Sequence, residues 1–228
     1  MNSSGSIAVV SMACRFPDAA SPEALWQNVL DGRRSFRIIP PERLQMADYG
    51  AGAIEAPLSI TPVLAGLVTD WNFDRSRFRV SKSAFEAADL AHWMALDTAE
   101  DALKRLGGRD RFSKLRTAVI LGNTLTGEFS RTSQIPLRLP YLLSKARAVL
   151  EEQKLPDDTI TGTLDRLRQQ ILADFPAPDE DMLAGGLANT IAGRIANHFD
   201  FRGGAWTVDG ACASSLLAII DACTRLKE

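Results

Sequence analysis

Between Ala205 and Leu217 the chain must change from strand to helix within one tight turn, a junction that fixes where a strand ends and a helix begins. Ala205-Trp206-Thr207-Val208 is a short β-favouring run, and Asp209-Gly210 is turn chemistry. Cys212 follows at once. The next residues, Leu216-Leu217-Ala218-Ile219-Ile220, suit a helix. A strand–turn–cysteine–helix segment can present a sulfur nucleophile. The turn exposes the side chain, and the first helical turn surrounds it with N–H groups that have no intrahelical partner. The positive end of the helix dipole favours negative charge placed there. A free N–H at the same point can hold a developing oxyanion. Gly210 and the small residues Ala211, Ala213, Ser214 and Ser215 leave room for a substrate beside the sulfur. The competing reading of Cys212 is a buried structural thiol at a strand–helix junction.

The rest of the chain sets the context. Residues 7–12 read as a buried strand. Residues 22–31 read as a helix, with Ser21 as cap, Pro22 at the first position and Gly32 past the end. Prolines and glycines between 33 and 80 predict loops, with room for a hairpin. Phe85, Ala88, Trp93, Leu96, Ala99 and Leu103 fall at helical spacing and predict one helix over 84–106, ended by Gly107-Gly108. Residues 117–122 read as a second buried strand. Helices are expected over 139–150, 160–175, 182–197 and 212–226, with a strand at 205–208. Ile160, Leu164, Leu167, Ile171 and Phe175 form one apolar stripe, read as a core face. Strands separated by helices predict a layered α/β domain.

Composition removes several functions. A formal net charge of −2 gives no electrostatic case for nucleic acid. The three cysteines, Cys14, Cys212 and Cys223, form no Cys-x-x-Cys pair, which favours reduced thiols, a cytoplasmic setting and no metal site. Cys223 reads as core packing. The first six residues lack the basic region of a signal peptide, and the apolar run of the last helix stops at Asp221, so no membrane span is expected.

"VDGACASSL" closely resembles the nucleophile motif of β-ketoacyl synthases, the condensing enzymes of polyketide and fatty acid assembly. Ile7 to Pro17 resembles the opening strand and turn of type I ketosynthase domains, and Ser21 to Trp26 the helix that follows. Asn189 to Phe199 is similar to the stretch leading into the nucleophile strand. Where family motifs usually carry serine, this chain has Ala213. More narrowly, "GNTLTGE" (Gly122 to Glu128), "NHFDF" (Asn197 to Phe201) and "TVDGAC" resemble iterative enediyne polyketide synthases, with polyunsaturated fatty acid synthases close behind.

The resemblance implies an α/β thiolase-like fold, of which residues 1–228 would be the N-terminal half, with a mixed sheet and a buried nucleophile helix. It implies that Cys212 accepts an acyl chain from the phosphopantetheine of an acyl carrier protein. The acyl-cysteine would then condense with decarboxylated malonyl carrier protein. No cofactor or metal is implied beyond the carrier's phosphopantetheine. A homodimer partner is implied, paired through the strand at 205–208, as is a C-terminal half of the ketosynthase. In the family, two histidines and a lysine lie downstream of the cysteine. This sequence has His92 and His198 only, both upstream and neither in the family's motif. The expectation is that it is a ketosynthase fragment. Two other readings stay open: a cysteine hydrolase pairing Cys212 with His92 or His198, and a non-catalytic truncated scaffold.

Overall fold

The computed structural model describes residues 5–41, 43, 64–124, 127, 134–175 and 180–228. In chain order the elements are α1 (Pro22–Leu30), β1 (Phe36–Ile38), β2 (Leu64–Gly66), α2 (Lys82–Glu86), α3 (Leu90–Arg105), β3 (Val119–Gly122), α4 (Gln134–Glu152), α5 (Asp157–Ala173), α6 (Glu180–Gly185), α7 (Asn189–Phe199), β4 (Ala205–Val208) and α8 (Ser214–Arg225). Single 3₁₀ turns cover Arg109–Arg111, Lys114–Arg116 and Ala211–Ala213. Two compact units emerge: one of residues 1–7, 74–96 and 112–228, the other of residues 8–73 and 97–111.

The unit carrying Cys212 is built around β3 and β4, which pair in parallel with Val119 opposite Ala205 and Gly122 opposite Val208. Side chains alternate across this ribbon. Thr207 turns to one face, where its hydroxyl donates to the Ala188 carbonyl at 2.9 Å, at the start of α7. Trp206 turns to the other, where its indole N–H donates to the Asp221 carboxylate of α8 at 2.6 Å. Helix, ribbon and helix therefore form three layers, the layered α/β arrangement expected. The core on the α7 side is apolar: Ile191, Ala192, Ile195, Ala196 and Phe199 are all buried. Helices α4 and α5 pack against each other as a helical hairpin, with Leu139 buried on the first and Ile160 and Leu164 on the second. Arg147 ties the two helices, reaching Asp157 at 2.9 Å and the Thr161 hydroxyl at 3.1 Å.

The second unit holds α1, the β1–β2 pair and the C-terminal part of α3. Ser21 caps α1 by accepting the Ala24 N–H at 3.2 Å, with Pro22 at the first position, as the sequence predicts. β1 and β2 are antiparallel, but the connection between them falls largely outside the described residues. Arg15 donates to the carbonyls of Cys14 and Ala20 and to the carboxylates of Asp97 and Asp101, pinning the loop that follows the N-terminal segment.

Several expectations need correction. Residues 7–12 join no strand among the described residues, and Val9 is 79% exposed. A β-type apolar run becomes a buried strand only when a partner strand and a covering layer are present. The single helix expected over 84–106 is two, α2 and α3. The break at 87–89 is imposed by α6: the Asp89 N–H donates to the Gly185 carbonyl, and a Cβ on Gly185 would sit 1.7 Å from the Ala87 carbonyl oxygen. The helix expected over 182–197 is likewise split into α6 and α7 around Gly186. The helix at 212–226 begins as α-helix at Ser214, after a 3₁₀ turn. It is not the buried helix expected: only Ser214 and Ala218 are buried, and Leu216 is 66% exposed. In place of one mixed sheet there are two separate pairs among the described residues, one parallel and one antiparallel. No helix among the described residues is long and apolar enough to cross a membrane.

Candidate active site

Cys212 lies at the middle of the 3₁₀ turn between β4 and α8, and its side chain is exposed. The structural-thiol reading required burial, and burial is absent. Cys14 and Cys223 are part-buried, and all three thiols are free. Burial pushes the Cys14 thiol above its ordinary value.

The turn is held by side chains from either side of the cysteine. The Asp209 carboxylate accepts the Ala211 N–H at 2.9 Å. This bond, with a second from the Thr124 hydroxyl, holds the carboxyl below its ordinary value. Ser214 is 5% exposed. Its hydroxyl oxygen accepts the Gly210 N–H at 3.1 Å and donates to the Ala211 carbonyl at 2.6 Å. The Ala213 N–H bonds to the Gly210 carbonyl, and the Ser214 N–H to that of Ala211. From Gly210 to Ser214, the N–H without an acceptor among the described residues is that of Cys212. The turn also forces Ala211 to a φ of 51°, in the left-handed region that a residue with a Cβ rarely occupies. Strain of this kind costs on the order of 1–3 kcal/mol and persists only where the surroundings over-determine it.

The strand below the turn is shaped to receive it. A Cβ on Gly122 would lie 2.5 Å from the Ser214 carbonyl carbon and oxygen, so only glycine lets β3 pass this close to the start of α8. On Gly210 a Cβ would meet the Leu217 Cδ1 at 2.2 Å. Trp206 and Asp221 brace the opposite end of the contact. Arg225 stands over the Trp206 ring, 5.4 Å from its centre.

No hydrogen bond joins either histidine to the Cys212 thiol among the described residues. His92 is 1% exposed, in contact with Trp93, and its Nδ1 has no partner among the described residues. Burial first, then the Arg194 cation, pushes it down to about 4, against the opposing pull of Asp89 and the Gly185 backbone. His198 ends α7 with its ring edge-on to Phe199 and beside Phe78. His92 is a packed interior residue, and His198 is half-buried at the end of α7. No hydrogen bond reaches the Cys212 sulfur among the described residues. Asp97, Glu100 and Asp101 come together as a metal site would require, but Arg15 already sits on two of them.

Cys212 and the small residues around it are legible in the sequence. The hydrogen-bonding roles of Ser214 and Asp209 are not: the sequence marks Ser214 by its size alone, and the one further signal is its place just before the helix formers. Part of "GNTLTGE", residues 125, 126 and 128, lies outside the described residues.

Comparison with known proteins adds three findings. The family described as "Beta-ketoacyl synthase, N-terminal domain" matches residues 4–228. A phenolphthiocerol/phthiocerol polyketide synthase chain of Mycobacterium tuberculosis is 31% identical over 97% of this chain and 10% of its own length. A polyunsaturated fatty acid synthase chain of a Thraustochytrium species is 26% identical over 93% of this chain and 7% of its own. The chain thus spans about a tenth of such relatives or less. Among solved structures, the Streptomyces albus JA3453 oxazolomycin ketosynthase domain OzmH KS7 superposes with a TM-score of 0.68 at 21% identity, over 96% of this chain and 31% of that one. The ketosynthase from module 6 of the Bacillus subtilis 168 bacillaene synthase gives 0.60 at 20% identity, over 95% and 28%. The fold is the thiolase-like ketosynthase fold.

Proposed function

The chain belongs to the β-ketoacyl synthase family, whose N-terminal domain it carries over residues 4–228, and on that premise we propose that Cys212 is the nucleophile of a decarboxylative Claisen condensation. The single observation that carries this reading is the exposed sulfur beside the backbone N–H of the same residue, which has no acceptor among the described residues. The sulfur attacks the carbonyl of an acyl group held as a thioester on the phosphopantetheine of an acyl carrier protein. The Cys212 N–H meets the developing oxyanion, the carrier's thiolate leaves, and an acyl-cysteine remains. Malonyl carrier protein loses carbon dioxide, its carbanion attacks the acyl-cysteine, and Cys212 departs as thiolate. A thiolate suits both steps, since it attacks and leaves readily. The decarboxylating groups and the second oxyanion donor are assigned to a complementary C-terminal half of the ketosynthase, making residues 1–228 its N-terminal half. The exposed apolar residues of α8, Leu216, Ile219 and Ile220, and the segment at 7–12, which joins no strand among the described residues, support that division.

Within the family we place the chain among iterative, enediyne-type polyketide synthases, on the segments "GNTLTGE", "NHFDF" and "TVDGAC". The polyunsaturated fatty acid type is the second reading, supported by the similarity to the Thraustochytrium synthase. The β4 edge away from β3 pairs with no strand among the described residues, which suits a homodimer joined through that strand. Free thiols and a carrier-bound substrate fit a cytoplasmic setting. The burial of His92 and its lowered affinity for a proton weigh against the hydrolase alternative.

The test is to mix the purified chain with acyl and malonyl carrier proteins. Mass spectrometry should find the acyl group on the Cys212 peptide, and none in Cys212→Ala. No acylation at Cys212 sinks the proposal. No β-ketoacyl product is expected from this chain alone. The loss of one oxyanion donor by itself costs about a hundred- to a thousandfold. Condensation that disappears in Cys212→Ala would show that a decarboxylating group lies within residues 1–228.

A further inference from the structure

We infer that Ser214, with Asp209, is the positioning residue that keeps the Cys212 N–H free and aimed beside its own sulfur. The inference rests on the nucleophilic role proposed for Cys212. The hydrogen-bond pattern of the turn carries it. Gly210 and Ala211 have N–H groups close enough in the chain to compete for the same oxyanion. Both are already used, one by the Ser214 hydroxyl and one by the Asp209 carboxylate. The Ser214 hydroxyl is two-sided: it accepts from Gly210 and donates to the Ala211 carbonyl. In doing so it helps fix the peptide groups that hold Ala211 at positive φ. Cys212 is the next residue, so its N–H direction is set by that conformation. Ser214 is itself anchored, because its backbone lies against Gly122, where any side chain would collide. An unconstrained turn would let Ala211 relax to negative φ, the region open to residues with a Cβ. That rotation re-aims the Cys212 N–H while leaving the thiol exposed. Ser214 therefore acts on the oxyanion and not on access to the sulfur.

Two reagents separate these effects. Iodoacetamide alkylates a thiol by displacing iodide and forms no oxyanion. S-phenyl thioacetate acylates through a tetrahedral oxyanion: the sulfur of Cys212 bonds to the acetyl carbon, the bond to the phenylthio group breaks, thiophenolate leaves, and the cysteine proton passes to solvent. In Ser214→Ala, acetylation of Cys212 should fall at least about tenfold, a fraction of what losing an oxyanion donor costs. Alkylation should change less than about twofold, since it draws on no oxyanion donor. Both are read on the Cys212 peptide by mass spectrometry, after circular dichroism shows native helix content. Acetylation and alkylation falling by the same factor overturns the inference. Should Ser214→Ala not fold, Asp209 decides. Asp209→Asn keeps an oxygen for the Ala211 N–H and should retain acetylation, whereas Asp209→Ala should lose it. Equal losses in these two variants overturn the inference as well. If Cys212 of the unaltered chain alkylates but never takes the acetyl group, the nucleophile reading fails and takes this one with it.

Discussion

At the scale of single residues, the three thiols are unequal. Cys212 is exposed in its turn, while Cys14 is part-buried and its thiol is raised by that burial. Thiolate is the reacting form, so burial slows a cysteine twice, by access and by ionisation. Limiting iodoacetamide should label Cys212 first, and prior labelling of Cys14 or Cys223 would contradict the site. His92 makes a second prediction. Its native value of about 4 lies below the 6.5 of an unfolded histidine. Between these values the unfolded chain binds the proton and the folded chain refuses it. Stability is therefore full above about pH 6.5 and falls as the pH is lowered towards 4. The upper bound on that loss is about 3 kcal/mol, at roughly 1.4 kcal/mol per pH unit. Urea unfolding at about pH 7 and about pH 5 should show the decline, and His92→Leu should flatten it. An unchanged slope in that variant would mean that other groups control acid stability.

At the scale of elements, glycine contacts make the site. Gly122→Ala drives a methyl group into the backbone of Ser214, which cannot move without lifting α8 off β3. Gly210→Ala meets instead the end of the Leu217 side chain, which can change rotamer. The first should cost about 1–3 kcal/mol, the range of overpacked cores, and the second distinctly less. Thermal unfolding of the two variants gives the order, and a larger loss in Gly210→Ala would reverse it. The same contacts explain what can be read from the sequence. β4 and α1 are legible at the residue level, because β-favouring runs, Ser21 and Pro22 act locally. The breaks at 87–89 and around 186 are not. They arise where Gly185 meets Ala87, and residues so far apart in sequence leave no periodic trace of their contact. Cys212 is legible because a strand, a turn and a helix are all local. The segment at 7–12 misleads because its apolar pattern records a need for cover without saying where the cover lies.

At the scale of the whole molecule, the proposed dimer and the apolar surface are linked. The edge of β4 that pairs with no strand among the described residues offers backbone groups to a twin strand. Sedimentation of an intact ketosynthase containing this domain should show a dimer at micromolar concentration, and a monomer would remove the strand-pairing proposal. Residues 1–228 by themselves leave Val9, Leu216, Ile219 and Ile220 open to water, and patches of that kind promote association.

The pairing of β3 with β4 has a kinetic consequence. Val119 and Ala205 are neighbours in the ribbon, yet α4, α5, α6 and α7 all intervene along the chain. Closing so long a loop is entropically expensive and slow, while a helical hairpin such as α4–α5 forms from near neighbours. During synthesis or refolding, most of the helix is thus in place before the two strands meet. The turn that carries Cys212 is among the last parts of the chain to mature. Until it does, the proposed nucleophile lacks its fixed N–H, and on that proposal acylation waits for the two strands to pair.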